Sequence, residues 1–427
     1  LTPPSPRPDH SSDRRTPVTL PPGIVSGLDT MAELPADASV IAWRVLRTLL
    51  LWAAEDPERR PALLDGGVMA EWEERLLTQS FDPDVRMPLA VIVGELARGE
   101  QAAAGRVSWS CLCIADWALA RRATRTALAF AEAAAQISPD QARYAWVAGR
   151  MLRTFGRFKE SSQWLRRAVR AAARAGDWEA QARSLNGLGK TSMHRGDLRD
   201  AARLLHVALR MARRRRMHLA EAENLHDLFV VHFEMDDWAQ AEEHARAAFE
   251  LYQQLRHDRL PMLVHDVAYL WINRGHFARA LDALRAVRPL MVHDEDRLRI
   301  LSSAIRAAGA IGEREFLGEM WAECWPLAMD LGNERRYAAT ALLQMGLGAS
   351  SLAQWDRARE ALEMADSMAR LRGETDVVHR AEAALGAVQA QRAAEPVPST
   401  PAGRNSPGDV LASRMVSSLS LVAPRHQ

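Results

Sequence analysis

Histidine is the chemistry-bearing residue that crowds this chain. His194, His206, His218, His226, His232, His244, His257, His265, His276 and His293 all fall between positions 194 and 293. An imidazole beside a carboxylate can hold a metal ion or act as a general base. Glu223 and His226 are three apart, a spacing that places both on one helix face. A metal centre between helices needs matching carboxylates on the partner helices, and the sequence does not supply them. His265-Asp266 and His293-Asp294 have the residue types of a catalytic dyad. Adjacent residues on a helix point to different faces, so both pairs read as chance neighbours. Cys111 and Cys113 are also spaced wrongly for a shared helical site and read as packed thiols. There is no HExxH, no GxSxG, no glycine-rich phosphate loop and no paired-cysteine motif. The expectation is a protein that is not an enzyme, with no catalytic residue, metal or cofactor.

Charge narrows the partners. Lys and Arg number 55 against 54 Asp and Glu, so nothing global attracts nucleic acid. The strongest cluster, Arg213 to Arg216, closes a helix, where cations favour the negative end of the dipole. Three cysteines make no disulfide framework, which points to a reducing cytoplasm. The most apolar run, VLRTLLLWAA at 45–54, is short and holds Arg47, so it reads as a buried helix and not a membrane span. The first residues lack the basic-then-apolar layout of a signal peptide.

The elements that would position any site follow a beat of about 40 residues. Phe158, Leu198, Trp238, Phe277, Phe316 and Trp355 recur at spacings of 40, 40, 39, 39 and 39, each beside a turn such as GRF, GDL or DDW. Nine residues before each stand Gly149, Gly189, Phe229, Ala268, Ala307 and Gly346. Three residues after come Ser161, Ala201, Ala241, Ala280, Glu319 and Ala358. Ten after come Ala168, Ala208, Ala248, Val287, Pro326 and Ala365. Small residues in register let paired helices cross closely. Phe229 breaks the first column. Glu319 and Pro326 make the 300–332 unit degenerate, and Pro326 is expected to bend or break its helix. An earlier unit is expected around Trp117, 41 residues before Phe158.

The division read from this pattern is a disordered arm at 1–35, a helical cap at 36–105, a repeat array at 106–390, and a linker and tail at 391–427. The linker EPVPSTPAGRNSPGD spans 394–408, and the tail VLASRMVSSLSLV is weakly amphipathic. Docking on the array, binding a partner and having no role stay open for that tail.

The pattern resembles the tetratricopeptide repeat family, in a long-repeat form whose 39–40 residues exceed the family's usual 34. The resemblance implies an all-α, right-handed helical-repeat solenoid with an atypical N-terminal helical cap. It also implies a concave face built from the first helix of each pair, which holds a peptide or a partner helix. Carried across residue by residue, the groove positions are Arg143, Trp146, Arg150 and Arg153; then Arg183, Asn186, Lys190 and His194; then His226 and Phe233; then His265, Tyr269 and Asn273. Leu301, Ala304, Ala308, Leu343 and Leu347 would end the groove in an apolar stretch. Asn186 and Lys190 match the family's carboxylate-clamp chemistry in type. The expected function is a scaffold or regulatory adaptor that binds a protein or peptide, an acidic one among the candidates. An accessory subunit of a larger complex and a transcriptional-regulator-like sensor stay open. Nucleic acid and membrane are not expected partners.

Overall fold

The structure is a computed structural model of the 427-residue chain. It describes residues 33–34, 36–55, 66–78, 82–99, 103–331, 337–394 and 407–422. Most of the expected arm and of the 394–408 linker lies outside the described residues. The described residues form nineteen α-helices and no strand. None of these helices is long and apolar enough to cross a membrane. The chain divides into two compact units, Leu1–Ala220 and Glu221–Gln427.

Unit 1 begins with α1 (Ala36–Ala54), α2 (Gly66–Thr78) and α3 (Pro83–Ala97). Helix pairs follow: α4 (Ala104–Ala120) with α5 (Thr124–Ile137), α6 (Ala142–Thr154) with α7 (Phe158–Ala175), and α8 (Trp178–His194) with α9 (Leu198–Arg214). The first three helices share one apolar core with the early repeats, running from Leu34 to Ala168. Glu33, just ahead of α1, reaches the start of α5. Its carboxylate accepts the backbone N–H groups of Arg125 at 3.0 Å and Thr126 at 3.1 Å, and so caps α5.

Unit 2 holds the pairs α10 (His218–Glu234) with α11 (Trp238–Leu255), α12 (Leu260–Asn273) with α13 (Phe277–Val287), α14 (Asp294–Ile311) with α15 (Arg314–Leu331), and α16 (Ala338–Ser351) with α17 (Trp355–Arg372). The unit boundary falls in the first turn of α10. Helix α18 (Thr375–Gln389) packs on α16 and α17, and α19 (Pro407–Val422) lies on α11, α12 and α13.

The physics of the repeat is visible in the glycine column. A Cβ on Gly149 or Gly189 would come 2.7 Å from Cγ of Leu165 or Leu205, and one on Gly346 would come 2.5 Å from Cγ of Leu362. In each pair a leucine sixteen residues on fills the space that the glycine leaves. Phe229 reverses the exchange: it is fully buried, and the matching position carries the small, buried Ala245. Volume is conserved although the motif is broken.

Five of the six turn residues are the first residue of a second helix: Phe158, Leu198, Trp238, Phe277 and Trp355. The exception corrects the sequence register. Helix α15 starts at Arg314, two residues before Phe316, and its inward positions are Leu317 and Cys324 in place of Glu319 and Pro326, which are exposed. The degenerate unit is therefore a shifted one. Pro326 does not break α15, which runs through it to Leu331. The earliest pair is also displaced from its expected anchor. Trp117 lies near the end of α4, and the second helix begins at Thr124, 34 residues before Phe158.

Candidate partner-binding face

On the first helices of unit 1, arginines lie on tryptophans. Arg143 on α6 sits 4.9 Å from the ring centroid of Trp109 on α4 and 5.3 Å from that of Tyr144. Trp146 receives two cations, Arg150 from its own helix at 5.2 Å and Arg183 from α8 at 5.6 Å. Gly187 of α8 lies against both neighbours: a Cβ on it would crowd Leu165 Cδ2 at 2.9 Å and sit at ordinary contact distance, 3.7 Å, from the indole Nε1 of Trp146. Arg153 donates to the Gly187 carbonyl at 3.4 Å. The result is a ladder of two indole–guanidinium rungs, one joining α4 to α6 and one joining α6 to α8. A guanidinium stacked on a ring keeps its charge and its edge N–H donors. Arg183 also pairs with Glu179 at 2.8 Å. Arg143 and Arg150 are exposed and have no carboxylate partner among the described residues.

The remaining sequence candidates of unit 1 behave differently. Asn186 and Lys190 are half-buried on α8. His194 stacks on Phe158, with ring centroids 6.0 Å apart, and so braces the turn. The arginine run lies at the exposed end of α9, where Arg215 covers Trp178 at 4.1 Å. Trp109 is a contributor that sequence reasoning missed. It is 52% exposed, an unusual state for an indole in a helix that is otherwise well buried. Its only sequence signal is a bulky residue on the outer side of α4's apolar stripe.

The first helices of unit 2 carry polar groups that satisfy one another. Asp266 Oδ2 meets His226 Nε2 at 2.9 Å, and Asp266 Oδ1 meets His265 Nδ1 at 2.9 Å. His265 Nε2 lies 3.3 Å from Ser303 Oγ. The network spans α10, α12 and α14. Burial alone would raise the Asp266 pKa, but the hydrogen bonds and charges of the two histidines outweigh it and hold the carboxyl far below its ordinary range. The pair His265-Asp266 is thus no chance neighbour. Glu223 does not join His226; it pairs with Arg259 at 3.1 Å. Ser303, His265 and Asp266 stand in the order of a hydrolytic triad, but Ser303 is only 2% exposed, which keeps an acyl substrate from its hydroxyl.

Phe233 meets Tyr269 edge-on at 6.0 Å and Trp238 at 5.5 Å. Asn273 donates to the Tyr269 carbonyl at 2.9 Å and accepts from Arg306 at 3.3 Å. Arg306 is buried and also donates to Gln344 Oε1 at 2.8 Å. The expected apolar end of the groove is not open. Leu301, Ala304, Ala308, Leu343 and Leu347 are all buried. A Cβ on Gly309 would overlap the carbonyl of Gly348, so α14 and α16 touch backbone to backbone. That approach closes the surface the sequence pattern would leave exposed.

No protein-family model matches the chain, and no curated protein matches it. Solved structures do share its fold. The apo quorum sensor NprR from B. thuringiensis matches with TM-score 0.51 and 15% identity, over 83% of this chain and 98% of that one. The apo form of RapI matches with TM-score 0.50 and 11% identity, over 78% and 99%. A signal-transduction ATPase with numerous domains and a tetratricopeptide repeat sensor, from Pyrococcus horikoshii, matches with TM-score 0.50 and 11% identity, over 88% and 64%. The fold is an all-α, tetratricopeptide-like helical repeat.

Proposed function

We propose that this chain is a non-catalytic, partner-binding regulatory scaffold, and that its first-helix face in unit 1 takes an acidic peptide or an acidic segment of a protein. The observation that carries this is the indole–guanidinium ladder. Arg143 and Arg150 are held in place by aromatic faces, yet no carboxylate among the described residues neutralises them. Ordering a long cation before the ligand arrives lowers the entropy lost on binding. The fork of each guanidinium then matches a carboxylate. A quorum sensor and a repeat sensor among the structures of the same fold support the regulatory part of the reading.

The test is fluorescence titration of the full chain with a glutamate-rich dodecapeptide and with its glutamine counterpart. The acidic peptide is expected to quench exposed Trp109 and to bind more weakly as salt rises. The variant Arg143→Glu/Arg150→Glu/Arg183→Glu is expected to lose at least tenfold in affinity with unchanged helix content. Equal binding of both peptides, or equal binding by the variant, would overturn the proposal.

A further inference from the structure

The last described helix marks a second surface in unit 2. Helix α19 lies against α11, α12 and α13. Leu411, Met415 and Leu419 are buried, a stripe at i, i+4 and i+8, while Val410 stays exposed. Arg414 reaches α11 in two ways: it lies 5.9 Å from the Phe249 ring centroid and pairs with Glu250 at 3.6 Å. Ser418 is buried and accepts from Gln253 Nε2 at 2.7 Å. Phe249, Glu250 and Gln253 all belong to α11, so one helix reads the arginine and the hydroxyl in a fixed register.

These contacts are those of a helix laid into a groove. The anchors are side chains on one face, at the spacing by which an amphipathic helix is recognised. The recognition is also chemically specific, since an apolar stripe alone would not require Glu250 opposite a cation or Gln253 opposite a hydroxyl. Helix α18 ends at Gln389 and α19 begins at Pro407. The occupant therefore joins the unit through a connection rich in proline, serine and glycine. A helix joined in cis has the advantage of effective concentration over one in solution, on the order of millimolar for a short linkage. A free helix of the same pattern competes for the same contacts.

We propose that the face of α11–α13 covered by α19 is a helix-receiving groove, that α19 is its displaceable occupant, and that it accepts in trans an amphipathic helix of defined pattern. The pattern is apolar at i, i+4 and i+8, arginine at i+3 and a small hydroxyl at i+7. This surface is separate from the ladder of unit 1 and does not depend on the acidic-peptide reading.

The probe is a labelled synthetic peptide of residues 407–422, titrated by fluorescence polarisation into three forms of the full chain. In the wild type, α19 blocks the groove and binding is expected to be weak. In M415E the occupant is dislodged, and the peptide is expected to bind at least tenfold more tightly. In M415E/E250R that gain is expected to vanish, and a peptide carrying R414E is expected to recover it by restoring the opposite charges. Equal binding to all three forms would show non-specific adsorption and overturn the proposal. No binding to M415E would overturn it too, because the groove would then not receive a helix in trans. Loss of cooperative unfolding in M415E would make α19 an integral part of the core, and would likewise overturn the proposal. The milder R414E chain, expected to bind the wild-type peptide at least threefold better than wild type, checks the result without a buried charge.

Discussion

The first helices of unit 1 and those of unit 2 come from the same repeat, yet they treat polar groups in opposite ways. In unit 1 the cations rest on aromatic rings, and Arg143 and Arg150 keep their charge open. In unit 2 the polar groups are turned on one another: Asp266 on two histidines, Arg306 on Asn273 and Gln344. Beyond them α14 and α16 are sealed together at Gly309 and Gly348. A ring holds a cation without neutralising it, whereas a carboxylate does both. One arrangement therefore leaves an attractive surface, and the other commits its polar groups to internal order.

The largest expected effect tests the sealed half. Gly309→Val forces α14 from α16 and is expected to cost about 3 kcal/mol in urea unfolding. A loss below about 1 kcal/mol would mean the two helices separate easily and the seal is not a constraint. Asp266→Asn removes the charge that both histidines share, and is expected to cost about 2 kcal/mol near neutral pH. Because the folded carboxyl is held below its usual value, its contribution is complete above about pH 4 and is lost as pH falls further. The wild type and Asp266→Asn should therefore converge in stability in acid, and a gap that widens there would reject the assignment.

Smaller effects test the open half. Arg150→Glu is expected to lower acidic-peptide affinity about tenfold, or about 1.4 kcal/mol. Its melting temperature should hardly move, since the side chain is exposed and unpaired with any described carboxylate. A matching loss of stability would place Arg150 in the fold instead of the binding face. Trp146→Leu removes the ring beneath Arg150 and Arg183, and is expected to weaken binding by about 0.5–1 kcal/mol per cation that it orders. Calorimetry should show the loss as a less favourable entropy; an unchanged affinity would mean the ring does not preorganise the arginines.

Much of the architecture was legible residue by residue. Phe158, Leu198, Trp238, Phe277 and Trp355 were legible as helix starts because a bulky residue recurs beside a short turn at a fixed spacing. The glycines at 149, 189 and 346 mark crossings because a leucine needs their space. The register failed at Phe316, where α15 starts two residues earlier, because one aromatic near a turn resembles another in a linear pattern. The site was less legible. That Arg143, Trp146, Arg150 and Arg183 stand on first helices was readable, while the contact of Trp109 with Arg143 was not, since it comes from a different helix. His265-Asp266 looked accidental because the second histidine, His226, stands 40 positions away.

By itself the sequence determined the helices, their pairing and the places where paired helices cross, because these rest on local periodicity and on side-chain volumes repeated at a fixed beat. It also determined which residue types stand on the first helices. Tertiary structure alone decided which of those residues stay open to a partner. A charge is available or neutralised according to what stands beside it on the next helix, and helices that touch in this fold bring together residues about one repeat apart.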